Sequence, residues 1–196
     1  MRKIYLVVIV CLIAFTAQAT ADTIKLKNGD RLTGAIVKSD EKTLVIKTEY
    51  ASTISNNIAA IRLSAPLSFN QNIQAINLDD SGYDWTGQVA AIAGWGITAN
   101  RGPLSPVLNY VINDIITNDL CASVYGSDIV TPGVGCFSGL GGRGPCRGDS
   151  GDSVIIDNTL VGLASFSAGA GCDAGFPSGF VRIAQYRNWI RSNTGI

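Results

Sequence analysis

Short runs of apolar and β-branched residues, broken by Gly, Ser, Asn and Pro, make up most of this chain. Seven of them predict strands: Asn57–Leu63, Gln88–Gly94, Leu108–Ile115, Gly133–Phe137, Ser153–Ile156, Thr159–Phe166 and Gly179–Ile183. Asp157-Asn158 separates two of these runs and reads as a tight two-residue turn. Many short strands between such turns indicate an all-β barrel or sandwich. The tail differs. Tyr186, Trp189 and Ile190 fall at helical spacing, which predicts a short terminal helix over Ala184–Ser192.

The segment before residue 51 has another texture. Its alternating runs Thr23–Lys27, Arg31–Lys38 and Thr43–Thr48 are joined by Asn28-Gly29-Asp30 and Ser39-Asp40-Glu41-Lys42. These predict a three-stranded meander, too small to bury a core alone. Lys25, Lys27, Lys38, Lys42 and Lys47 all lie here, and no lysine follows Lys47. The break in composition divides the chain into a β-meander module at 22–51 and a domain at 52–196. Ahead of both, Arg2 and Lys3, the apolar run Leu6–Ala14 and Ala19-Thr20-Ala21 have the layout of a cleaved signal peptide at 1–21. A secreted or extracytoplasmic protein follows, with no membrane segment after cleavage.

Composition narrows the partners. A 196-residue chain with 46% hydrophobic residues supports one ordinary core. Fifteen basic and fifteen acidic residues balance, so no basic face points to nucleic acid. Cys11 leaves with the signal peptide, and Cys121, Cys136, Cys146 and Cys172 make an even set suited to two disulfides. Their spacing leaves all three connectivities open. With no histidine and no C-x-x-C, neither a metal nor another cofactor is implied.

Gly139–Ser153 carries the candidate chemistry: Gly-Leu-Gly-Gly-Arg-Gly-Pro-Cys-Arg-Gly-Asp-Ser-Gly-Asp-Ser. A serine flanked by glycines permits close substrate approach, and glycine amides suit an oxyanion hole. Taken alone, G-x-S-x-G reads equally well as a surface turn. Several segments in order change that reading. Asn56–Leu63, Pro66–Leu78, Ala93-Gly94-Trp95-Gly96, Cys146–Gly151 and Gly179–Ile183 with Tyr186 and Trp189-Ile190 resemble the chymotrypsin-like (trypsin family) serine proteases, especially the arthropod digestive kind, over residues 52–196. Leu26–Gly34 resembles the segment after the signal peptide in bacterial envelope proteins of unknown function.

The resemblance implies a trypsin-like serine protease fold with a complete second β-barrel, a truncated or replaced first barrel and a short C-terminal helix. It places Ser150 at the nucleophile position, and Gly148 and Ser150 as oxyanion-hole amides. Asp149 becomes the activation-pocket carboxylate, which a new N-terminal ammonium pairs in the family. Gly144 falls at the base of the specificity pocket, with Ser165, Phe166 and Ser178 on its walls. The implied disulfides are Cys121–Cys136 and Cys146–Cys172.

Four departures oppose activity. The chain has no histidine, so a serine hydroxyl lacks its usual base. The triad aspartate position falls at Asn57. Asp152 and Ser153 replace the usual Gly-Pro, which puts an acidic residue near Ser150 on a backbone a glycine would tolerate better. No activation terminus precedes Asn57, which leaves Asp149 unpaired or turned to solvent. The expectation is an exported serine endopeptidase homologue without catalytic activity. The alternatives are a weak serine hydrolase using one of the upstream lysines, or a peptide-binding or envelope module. Its partners would be a peptide or protein segment in the relict cleft, or a second copy at exposed barrel edges.

Overall fold

A computed structural model describes residues 58–62, 68–71 and 73–195, and the backbone of three short strands at 24–25, 31–32 and 43–45. In chain order the strands are β1 (Ile24–Lys25), β2 (Arg31–Leu32), β3 (Thr43–Val45), β4 (Ala60–Arg62), β5 (Asn77–Leu78), β6 (Val89–Gly94) and β7 (Asn109–Ile116). Helix α1 (Asn118–Tyr125) follows, then β8 (Val134–Phe137), β9 (Ser153–Ile156), β10 (Thr159–Phe166) and β11 (Ser178–Arg182). A 3-10 turn, Ile183–Tyr186, leads into α2 (Arg187–Thr194).

Strands β6 to β11 form one closed antiparallel barrel. Their order is β11-β8-β7-β6-β9-β10, and β10 pairs back with β11 to complete the ring. Closure leaves none of the six with an unpaired edge. β5 joins β10 in parallel through Thr159↔Asn77 and Leu160↔Leu78. The β9–β10 hairpin turns on Asp157 and Asn158, both with positive φ (44° and 60°), as a two-residue turn requires.

The run Leu160–Ala164 is buried on both sides. Val161 faces the barrel interior with Ile92, Ile115, Phe137, Val154 and Phe180. Leu160 and Leu163 face outward, where Ile183 and Ile190 of the C-terminal segment cover them. The Phe180 ring fills the space that side chains on Gly135 and Gly162 would need, so two neighbouring strands carry glycine opposite it. Phe137 packs on Phe180 with ring centroids 4.7 Å apart.

Thr117 caps α1 by accepting from the Leu120 amide at 3.2 Å, and Gly126 ends it. Cys121–Cys136 ties that helix to β8.

The structure alters two expectations and extends a third. α1 stands where no element is predicted. The terminal helix begins as a 3-10 turn and continues to Thr194. In the three-run segment β1 pairs with β2, and β3 pairs onward with β4 through Leu44↔Ile61. Thr43–Val45 therefore has its partner in the strand expected to begin the protease-like portion. Among the described residues no second closed barrel is present. The expected signal peptide at 1–21, the remainder of 22–51 and Asn57 lie outside the described residues.

Candidate functional site

Ser150 sits on the loop between β8 and β9, and its shape follows from the glycines beside it. Gly148 (φ +103°) and Gly151 (φ +94°) both adopt backbone angles that favour glycine. The loop is fastened at several points. Cys146–Cys172 anchors its start, with Cα atoms 5.2 Å apart. The Ile97 amide donates to the Arg147 carbonyl at 2.9 Å. Beyond Ser150, the Gly151 amide donates to the Ala164 carbonyl at 2.8 Å, and the Ala164 amide returns a bond to the Asp152 carbonyl at 2.9 Å. Both disulfides implied by the resemblance are formed.

Asp149 is not unpaired. Its Oδ1 accepts from the Gly96 amide at 2.6 Å and its Oδ2 from the Cys146 amide at 2.8 Å. The carboxylate lies against Gly94 and Gly96, whose missing side chains make room for it. A carboxylate with amides on both oxygens needs no ammonium to satisfy its hydrogen bonding.

Asp152 also departs from expectation. Its backbone does not adopt a positive φ, so the missing glycine imposes no strain there. The side chain is buried, and its Oδ2 meets no N–H or O–H donor among the described residues. Burial, then the nearby Asp149 charge, then a hydrogen bond to Asp149 push its carboxyl up to about 9. At neutral pH Asp152 is therefore a carboxylic acid that donates to Asp149, not a second negative charge beside Ser150.

Two cavities flank the loop. One of about 260 Å³ opens beside Ser150 and is bordered by Pro145, Arg147, Asp149, Ala164, Ser165 and Phe166 among others. The other, of about 340 Å³, lies toward β6 and β7 and is bordered by Gly96, Tyr110, Gly144 and Asp149 among others. Ser150, Ser165 and Phe166 thus share one cavity. Gly144 borders its neighbour and faces Ser178, whose Oγ would lie 3.1 Å from a side chain added at Gly144. Ser178 is buried at the start of β11. Phe166 is held over Gly179 and meets Tyr125 edge-on, with centroids 5.2 Å apart.

The donor inventory is specific. Among the described residues, the amides of Gly148 and Ser150 and the Ser150 hydroxyl make no hydrogen bond. Sequence reasoning overlooked Arg147 and Pro145 as lining residues, although both adjoin the serine motif. It also overlooked Leu104, whose side chain packs over Gly148. Among the described residues no group of acidic or cysteine side chains is arranged to hold a metal ion.

The Trypsin family matches residues 14–190. A brachyurin of Leptuca pugilator is 37% identical over 169 residues, covering 85% of this chain and 73% of the crab protein. A collagenase of Hypoderma lineatum is 34% identical, covering 83% of this chain and 63% of its own length. The solved structure of HL collagenase superposes with a TM-score of 0.76 at 27% identity, covering 89% of this chain and 91% of that one.

Proposed function

The chain belongs to the trypsin family of serine proteases, and from that premise we propose that it is a catalytically silent, exported member that holds peptide segments at the Ser150 cavity. One observation carries the reading: the whole chain contains no histidine. The Ser150 hydroxyl has no hydrogen-bond partner among the described residues, so no other group there acts as its base. Lysine is the usual substitute, and every lysine lies at or before Lys47, outside the described residues apart from the backbone of Lys25.

An unactivated serine hydroxyl is a poor nucleophile at neutral pH. Oxyanion donors and binding alone leave about 10³–10⁴-fold acceleration over water, far below a working protease. Ser150 takes the nucleophile position in this reading, and Gly148 and Ser150 supply the oxyanion amides. Asn57 replaces the triad aspartate. Asp149 fills the activation position, with Asp152 and two backbone amides in place of an ammonium. Phe166, Ser165 and Pro145 give the cavity a wall that favours an apolar residue, while Gly144 borders the neighbouring cavity and faces Ser178.

Export is supported by the layout of residues 1–21 and by the two disulfides, which suit an oxidising compartment. The module boundary near residue 51 rests on the change in composition.

Incubation with a serine-directed fluorophosphonate, followed by intact mass, tests the catalytic part. No adduct on the wild-type chain is the expected result. An adduct that disappears in Ser150→Ala would sink the proposal, as would hydrolysis of a peptide ester that depends on Ser150.

A further inference from the structure

We infer that Tyr83 is a modification site: a sulfotransferase of the export pathway places a sulfonate group on its phenolic oxygen. This rests on the export part of the reading above, and no part of it involves the serine loop.

Residues 80–84 are all exposed and form a loop between β5 and β6 that belongs to no strand or helix. The loop is closed at its base by the buried Asp79. Asp79 Oδ1 accepts from the Ser81 amide at 3.0 Å and the Ser81 hydroxyl at 2.6 Å, and its Oδ2 from Trp85 Nε1 at 2.8 Å. The Asp79 amide donates to the Leu160 carbonyl of the barrel at 3.0 Å. One buried carboxylate thus pins both ends of the loop, and Tyr83 stands out from it, 70% exposed. The Tyr83 ring meets the Trp85 ring edge-on, with centroids 5.9 Å apart, and its hydroxyl makes no hydrogen bond among the described residues. No backbone amide of 80–84 donates to another backbone group among the described residues, so a transferase can draw this segment into its cleft without breaking a ladder.

The charge around that hydroxyl selects the modification. Asp80 and Asp84 flank Tyr83 and are both exposed, and no lysine or arginine occurs between Arg62 and Arg101. The Thr86 amide donates to Asp84 at 2.9 Å and holds its carboxyl below the ordinary value, so it is charged at neutral pH. The Arg182 guanidinium that donates to the Asp84 carbonyl is buried, so the exposed face of the loop stays acidic. A sulfotransferase holds an anionic donor in a basic cleft, and an acidic acceptor loop is steered into such a cleft.

Exposure alone does not choose the residue. Tyr110 is 76% exposed, yet it is fixed in β7 opposite Ala93, with Asn109 and Val111 on either side. The Tyr125 hydroxyl donates to the Pro177 carbonyl, and Tyr186 is partnered. Among the described tyrosines Tyr83 alone combines a free hydroxyl, an acidic setting and an unpaired backbone. In the transfer the Tyr83 oxygen bonds to the sulfur of a phosphoadenylyl sulfate. The bond from sulfur to the donor's phosphate oxygen breaks with its electron pair, and the phenolic proton passes to a base of the transferase. The product sets a fixed negative charge beside Asp80 and Asp84, a group that arginine-bearing partners recognise.

In the test the full chain is secreted from cultured animal cells, with or without chlorate, which blocks synthesis of the sulfonate donor. Intact mass and peptide mapping should show a single sulfonate on Tyr83 in most molecules, resistant to phosphatase and lost in chlorate. Tyr83→Phe should remove it outright, and Asp80→Asn with Asp84→Asn should lower its occupancy several-fold, both with unaltered thermal unfolding. A secreted chain without the sulfonate, or with it on Tyr110 in preference to Tyr83, would overturn the inference, and so would a phosphatase-labile group. A chain that stays inside the cells overturns the export reading instead. Purified chain, a tyrosylprotein sulfotransferase and phosphoadenylyl sulfate then test the acceptor by itself, and no transfer to Tyr83 would overturn the inference there too.

Discussion

The carboxyl groups of Asp149 and Asp152 both close on the Cα of Gly94, leaving no space for a side chain there. Two acids share this half-buried volume because one of them keeps its proton. Asp149 is held by amides from Gly96 and Cys146, and Asp152 completes its environment by donating.

This pairing makes stability depend on pH in a direction opposite to most acids. The Asp152 carboxyl rises from 3.8 to about 9 on folding. Between these values the folded state holds a proton that the unfolded chain has released, so stability is greatest below the lower value and falls as pH rises toward the upper one. Asp152→Asn keeps the shape and donates at every pH. Relative to wild type it should gain roughly 1–3 kcal/mol between pH 5 and pH 8, less than the ideal linkage slope of about 1.4 kcal/mol for each pH step of one. Denaturant melts of both proteins across that range check this, and parallel pH profiles would refute it.

Gly94→Ala places a methyl group against both carboxyls at once. Displacing them breaks the amide bonds to Asp149, for an expected loss of about 2–4 kcal/mol. Gly169→Ala is the control, because nothing lies within 4 Å of the added carbon and its φ is ordinary. That change should stay within about 0.5 kcal/mol. Equal effects at the two glycines would dismiss the crowded-carboxyl account.

The two disulfides span 15 and 26 residues, so chain entropy gives them similar worth, about 3 kcal/mol each. Their local effects differ. Cys146→Ser with Cys172→Ser releases the start of the serine loop, and amide exchange should quicken around Gly148 and Ser150. Cys121→Ser with Cys136→Ser frees α1 from β8 and should leave the serine loop protected. Hydrogen exchange read by mass spectrometry separates these outcomes.

Arg182 is buried at the end of β11. It donates from Nε to the Val134 carbonyl at 2.9 Å, from one terminal nitrogen to Asn118 Oδ1 at 2.9 Å and from the other to the Asp84 carbonyl. Its guanidinium also lies over the Phe180 ring, 5.9 Å from the centroid. Lysine cannot reproduce this fork. Arg182→Lys should cost about 2–4 kcal/mol and Arg182→Met a similar amount, measured by denaturant unfolding. A loss below about 0.5 kcal/mol for either would show that the fork is dispensable.

Much of the barrel is legible in the sequence. β9 and β10 match their predicted bounds because Asp157-Asn158 punctuates two apolar runs. The serine loop and its disulfides are likewise written in one short motif and four cysteines. What is not legible is whatever depends on distant partners. α1 escapes notice because Leu120 and Val124 are exposed and only Cys121 is buried, so no apolar stripe marks it. The partner of Thr43–Val45 is a strand across the compositional break, and local turn signals cannot announce it. Asp152 reads as a hazard to Ser150 because sequence gives a carboxyl group its charge. Only burial beside Asp149 reveals the proton, and only folding brings Gly94 there to accommodate both.

Because β10 pairs back onto β11, the six strands β6 to β11 close their own ring, and the short β5 adds to it at β10. Sequence change upstream of β5 thereby leaves the pairing of that ring intact. Evolution can lengthen, shorten or exchange that earlier portion and alter what borders the cleft, while the same six strands continue to present the same turn.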